Sequence, residues 1–295
     1  MIDLHMHTKY SDGTDTVIEL LKRAQEKELE MISITDHDNC NAYEELKNIQ
    51  IEDYYNGKII SGVELKTMIE GINIELLGYG INPDIINERV KKMYITQTEK
   101  NLIEINRLYQ KCIRLGIIFD DDFFEKYDKS EYSYATDYLH ERLIDKIENK
   151  KFIKDEESWN DNAVFYRNYI SNPNSELYTN MSDVVPSCEE VIKLIRDAGG
   201  LVFIAHIFIY GVNSEKVLDE VTKNYKIDGI ECIYSSFTTK QTEFLINFCR
   251  ENNLYISGGS DYHGKYHPNI EIGIGHGNLN MSYDIIKEWV DKIKS

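Results

Sequence analysis

Positive charge is what this chain is short of. Its 33 lysines and arginines face 51 aspartates and glutamates, a formal net charge of −18. Binding long nucleic acid takes clustered Lys and Arg on one face, so no long nucleic acid is expected as a partner. A small phosphorylated substrate stays open, because bound divalent cations would reverse the local field. Paired cysteines are also missing. Cys40, Cys112, Cys188, Cys232 and Cys249 are scattered without a CxxC, which fits reduced thiols better than a disulfide framework. No apolar run approaches the roughly 20 residues that cross a bilayer. Strand-like sequence starts at residue 1, so no secretory leader is expected. A cytoplasmic protein with no membrane partner is expected. What is present is a globular composition: 295 residues, 42% of them hydrophobic, with 21 tyrosines, enough core for one large domain or two ordinary ones.

The first thirteen residues, MIDLHMHTKYSDG, organise the rest. A short apolar run delivers His5 and His7 at i, i+2, which in a strand places both imidazoles on one face. Asp12 follows in the turn Ser11-Asp12-Gly13. Two imidazoles with a carboxylate returning over them make a plausible metal cage, although an isolated HxH is as often a surface strand.

Further along, Val17, Leu20, Leu21 and Ala24 form a helical stripe that Asp15 or Thr16 caps. The strand Met31 to Thr35 runs into Asp36-His37-Asp38, and after a helix (Ala42 to Ile49) the strand Lys58 to Ser61 ends in Gly62-Val63-Glu64. Ile72 to Tyr79 is a further apolar stretch, with Glu75 inside it. From 84 to 186 the pattern becomes helical, clearest over Ile85 to Leu115, then polar and tyrosine-rich. No strand there ends in a histidine or isolated carboxylate, so the segment reads as a mostly helical insertion. Beyond Pro186 the alternation resumes: a helix from Cys188 capped by Ser187 and Glu190, the strand Leu201 to Ala205 ending at His206, and the strand Ile227 to Tyr234. A helix over Gln241 to Asn252 and the strand Leu254 to Ser257 lead into Gly258 to Gly264, before a closing helix, Ser282 to Ile293. Such alternation predicts an α/β fold with a mainly parallel sheet, barrel or doubly wound, whose ligands gather at the carboxyl edge. His5, His7, His37, Glu64, His206, Asp261 and His263 all fall at or just past strand ends, which points to a polynuclear metal site of mixed His and carboxylate ligands suited to Mn, Fe or Zn.

This pattern resembles the PHP (polymerase and histidinol phosphatase) superfamily of metal-dependent phosphoesterases. The resemblance is carried by Asp3 to His7 with Ser11-Asp12-Gly13, Ile34 to Asp38, Gly62-Val63-Glu64, Ala205-His206 and Gly258 to Gly264, in that order along the chain. It implies a distorted (β/α)7 barrel from segments 1–83 and 187–295, interrupted by the 84–186 insertion as a cap, and two or three divalent ions. By the same analogy His5, His7, Glu64 and Asp261 hold one ion. Glu64 bridges to a second, shared with His206 and a residue on the next strand. Asp12, His37 and His263 hold the third. Asp36 is read as orienting an imidazole. Three departures stand out: Glu75 where many members carry histidine, Ala205-His206-Ile207 without the common proline, and His267 before Pro268 where lysine is frequent.

The expected reaction is phosphate-ester hydrolysis by a metal-bridging hydroxide, with His206 or His263 protonating the leaving oxygen. Small phosphorylated metabolites or nucleotides are the expected substrates, with histidinol phosphate as the alternative within the class. Lys9, Arg142, Arg167 and Lys265 are candidate phosphate contacts. A non-catalytic metal- or ligand-binding protein is the reading from another class.

Overall fold

The computed structural model describes residues 1–128, 131–132 and 134–293. Strand β1 (Ile2–Asp3) pairs in parallel with β2 (Met31–Ile32), which pairs in parallel with β3 (Lys58–Ile59). A second sheet holds β4 (Gly62–Ile69), β5 (Ile72–Tyr79), β6 (Leu201–Ile204), β7 (Gly229–Tyr234) and β8 (Tyr255–Gly259), in that spatial order. β6, β7 and β8 run parallel, but β5 is antiparallel to both β4 and β6. The mainly parallel expectation fails at β5 because β4 and β5 form a hairpin. Its two connecting residues, Glu70 (φ 50°) and Gly71 (φ 80°), are both left-handed, the conformation a tight two-residue connection needs.

The described strands form two sheets and no single closed barrel. Backbone hydrogen bonds nevertheless cross between their edges. The Leu4 N–H donates to the Gly258 carbonyl at 3.3 Å and the Asp261 N–H to that of His5 at 2.8 Å. On the far side the Asp38 N–H donates to the Glu64 carbonyl at 2.9 Å. These links bring the ends of β1, β2, β4 and β8 together.

Helix α1 (Val17–Glu26) starts at Thr16, which forms a capping box with Glu19, and α2 (Asn41–Leu46) follows β2. The helix expected over Ile85 to Leu115 is two helices, α3 (Pro83–Met93) and α4 (Gln97–Leu115). Tyr94 is extended at the break and its hydroxyl donates to the Lys66 carbonyl, while Thr96 and Glu99 cap α4 afresh. Then come α5 (Ala135–Ile144), α6 (Glu156–Asn160) and α7 (Asn162–Phe165), with no strand among the described residues of 84–186. Helices α8 (Cys188–Asp197), α9 (Ser214–Asn224), α10 (Thr239–Asn252) and α11 (Tyr283–Val290) complete the chain.

Both sheets and their flanking helices share one large apolar core, which includes Ile86 and Val90 of α3. A separate cluster gathers Ile105, Leu108, Leu139, Leu143, Phe165 and Ile170 with their neighbours. Met68 of β4 packs with Met181 and Val185 between the two. None of the described helices is long and apolar enough to cross a membrane.

Candidate metal centre

The strand ends set the site. The segment just past β1 buries His5 and His7 with no exposed surface, and β8 passes so close that a Cβ on Gly259 would lie 2.4 Å from the His5 backbone nitrogen. Only glycine allows that approach. The chain leaves β6 and β8 through left-handed residues, His206 (φ 26°) and Asp261 (φ 57°), a strain of the kind found where side chains are aimed at a function.

Three overlapping donor groups result, each with ligand atoms within 4.8 Å of one another: His5, His7, Glu64 and Asp261; His7, Asp12, His37 and His263; and His37, Glu64 and Glu75. Glu64 is buried and central. Its Oε2 lies 3.1 Å from His5 Nε2 and 3.2 Å from His7 Nε2, and its Oε1 lies 2.8 Å from His206 Nε2. His206 Nε2 is also 3.3 Å from Glu75 Oε2, and His263 Nε2 is 3.2 Å from Asp12 Oδ1. All nine residues singled out as ligands thus converge.

Electrostatics and unmet hydrogen bonds both ask for cations here. Burial opposes charge on His7, but Asp261 and Glu64 hold its pKa up at about 10. Burial and the Lys66 charge push His37 down to about 3. Burial and Glu64 push Glu75 up to about 7. Burial opposes the charge on Glu64, yet His5 and His37 hold that carboxyl well below its ordinary range. Protons therefore take the places where positive charge is wanted. Among the described residues, His7 Nε2, Asp12 Oδ1, His37 Nδ1 and Asp261 Oδ1 are buried without an aligned hydrogen-bond partner. Imidazole nitrogens facing carboxylate oxygens in this way are what divalent metal ligation leaves when the ion is taken out, so the donor set fits such ions.

Around this set stand residues whose part the sequence reading missed. The His5 Nδ1 pairs at 2.8 Å with Glu231 Oε1, whose other oxygen accepts the His206 backbone N–H at 2.8 Å. The Tyr234 hydroxyl donates to Asp261 Oδ2 at 2.7 Å, and the Tyr134 hydroxyl to Asp12 Oδ2 at 3.1 Å. Glu231 gave a signal, an acid inside the apolar run Ile230 to Tyr234, but Tyr134 gave none. Among the described residues Asp36 forms no direct hydrogen bond to an imidazole, and its link to His7 runs through Ser11. It accepts from the Thr8 backbone and hydroxyl and from the Ser11 hydroxyl, and so fixes the turn whose Ser11 Oγ lies 3.3 Å from His7 Nδ1. Among the basic candidates, Arg142 is engaged by Glu141 and Asp145, while Lys9 is exposed near Glu45 and Lys265 is exposed. Arg167 lines a cavity that also reaches Glu75.

A 5′-3′ exoribonuclease from Haemophilus influenzae is 27% identical over 97% of each chain. A 3′,5′-nucleoside bisphosphate phosphatase from Chromobacterium violaceum is 22% identical over 92% of this chain and 90% of its own. Among solved structures, one from Bifidobacterium adolescentis, named for metal-dependent phosphoesterase activity, superposes with a TM-score of 0.63 at 22% identity, covering 100% of this chain and 96% of its own. The family model for the PHP domain matches residues 3–150, half of the sequence, and on that match the chain belongs to the PHP domain family.

Proposed function

We propose that the protein is a metal-dependent phosphoesterase that hydrolyses a phosphate ester of a nucleotide. The observation that carries this reading is the convergence of eight His, Asp and Glu side chains into overlapping donor groups with orphaned buried atoms, with His206 beside Glu64 and Glu75. His5, His7, Glu64 and Asp261 would hold one divalent ion, Glu64, Glu75 and His206 a second, and Asp12, His37 and His263 a third, of Mn, Fe or Zn. Such ions supply an activated water and positive charge for the phosphoryl oxygens. His206 or His263 would hand a proton to the leaving oxygen only where its Nε2 does not hold an ion. Among the described residues the His206 Nδ1 has no hydrogen-bond partner, and the His263 Nδ1 is bonded to the Asp261 carbonyl at 2.9 Å.

One relative is named for a nucleoside bisphosphate and another for RNA, both of which are nucleotide phosphate esters, and this supports a nucleotide substrate. The hydrogen bonds between the two sheet edges favour describing the frame as a distorted (β/α)7 barrel. The 84–186 segment acts as a cap on it, since Tyr134 reaches Asp12 across the mouth. Metal content by mass spectrometry on wild type and Glu75→Ala, with a phosphatase assay alongside, tests the reading. Two or three ions in the wild type, with one ion and most turnover lost in the variant, is the expected result. No bound metal under Mn²⁺, Fe²⁺ and Zn²⁺ supplementation, with no hydrolysis, would overturn it.

A further inference from the structure

Two cavities meet over the acidic edge of the centre. One, of about 260 Å³, lies against Glu75 and is lined by Asn73, Tyr166 and Arg167. The other, of about 550 Å³, reaches Asp12 and His37. Lys66, Lys100 and Tyr134 line both. Lys66 stands directly across the hairpin from Glu75, and its ammonium donates to the Tyr134 hydroxyl at 3.1 Å. Lys100 comes from α4, on the opposite wall. Both side chains are part-buried, and among the described residues neither they nor Arg167 form an ion pair. Burial, with the charge of Lys66 adding to it, pushes the Lys100 ammonium down against the pull of Glu104. Asp38 and Glu75 act on both ammonium groups through space, but neither ammonium is closed off by a direct ion pair, so two cationic donors lining the same cavities are free to bind an anion between them.

We propose that Lys66 and Lys100, with Arg167 lining the cavity beside Glu75, form a subsite for a phosphate other than the one being cleaved. The inference rests on the phosphoesterase reading and narrows its substrate to nucleotides carrying at least two phosphates. The scissile group faces the histidine and carboxylate cluster, and the lysines flank it on the cap side. The same chemistry serves the remote phosphate of a nucleoside bisphosphate and the next phosphodiester of a 5′-phosphorylated RNA.

The test compares wild type with Lys100→Gln and Lys66→Gln, each loaded with Mn²⁺, freed of unbound metal and checked for folding by circular dichroism. Substrates are adenosine 3′,5′-bisphosphate, a 5′-phosphorylated dinucleotide and p-nitrophenyl phosphate. The ratio of kcat/KM for a two-phosphate substrate to that for p-nitrophenyl phosphate should fall at least about ten-fold in both variants, equivalent to about 1.4 kcal/mol. Whichever two-phosphate substrate shows the larger fall identifies the source. Calorimetric titration with inorganic phosphate should lose one of two sites in Lys100→Gln. An unchanged ratio and an unchanged number of phosphate sites overturn the subsite. Failure of wild type to hydrolyse any of the three substrates counts against the phosphoesterase reading instead, while the phosphate titration still decides the subsite.

Discussion

Glu231 sits in the middle of β7 with no exposed surface, and its two oxygens are divided between His5 Nδ1 and the His206 backbone. An acceptor at Nδ1 keeps the proton there and leaves the His5 Nε2 lone pair facing Glu64. Glu231→Gln keeps the shape but weakens that acceptor. Metal affinity should fall roughly 10- to 100-fold, as is typical when a partner of this kind is lost. Competition with a chelator, at an unchanged circular dichroism spectrum, measures it, and equal affinity would remove Glu231 from the support of the centre. This residue also shows how far the sequence could be read. His5 with His7, and Asp261 with His263, announce themselves through i, i+2 spacing at strand ends. Glu231 meets His5 across 226 residues, and no local pattern records such a contact. Tyr134 is further out of reach, because its role depends on how the 84–186 segment lies against the Asp12 turn.

Among the elements, the β4–β5 hairpin has the most influence on the site, since it sets Glu64, Lys66 and Glu75 on one face. Its turn depends on Gly71, where a Cβ would meet the Tyr178 hydroxyl at 2.3 Å. That hydroxyl donates to the Gly71 carbonyl at 2.9 Å. Gly71→Ala should destabilise the fold by about 1–3 kcal/mol, through left-handed strain and the steric clash together. Urea unfolding reads this as a lower midpoint. In Tyr178→Phe the clashing oxygen is gone, so the double variant should lose less than the two single losses added. Additive losses would mean that the turn and Tyr178 do not press on each other. Helix positions were legible because periodicity and caps such as Ser187 with Glu190 are local. The antiparallel course of β5 was not, since Glu70-Gly71 lacks the usual Asn-Gly or Asp-Gly signal and strand direction is a long-range property. The break at Tyr94 was hidden for a related reason: the apolar stripe runs through it, and the contact that fixes it, to the Lys66 carbonyl, belongs to another element.

For the whole molecule, a net charge of −18 describes the surface at large and says little about a mouth that gathers cations. The resemblance to named exoribonucleases fits once the metal centre, and not the outer surface, meets the phosphates. The same acidity makes the metal-free protein sensitive to pH in a definite direction. His7, held up at about 10 against an ordinary 6.5, contributes stability that is complete below about pH 6.5 and is lost as pH rises through 10. Glu75, held up at about 7 against 4.5, contributes fully below about pH 4.5, and that contribution is lost as pH rises through 7. Glu64 and Asp261 are held down, so their contribution is present above their ordinary values and is lost as pH falls towards the folded ones. Stripped protein should therefore be most stable in mild acid, and its Tm should fall from about pH 6 to 9. Divalent ions compete with protons for the same nitrogens and oxygens, so stabilisation by metal should grow as pH rises. Thermal unfolding across this range, with and without EDTA, should give two curves that diverge towards alkaline pH. Curves that stay parallel would mean that bound ions do not engage these titrating groups, and the centre would then lie elsewhere.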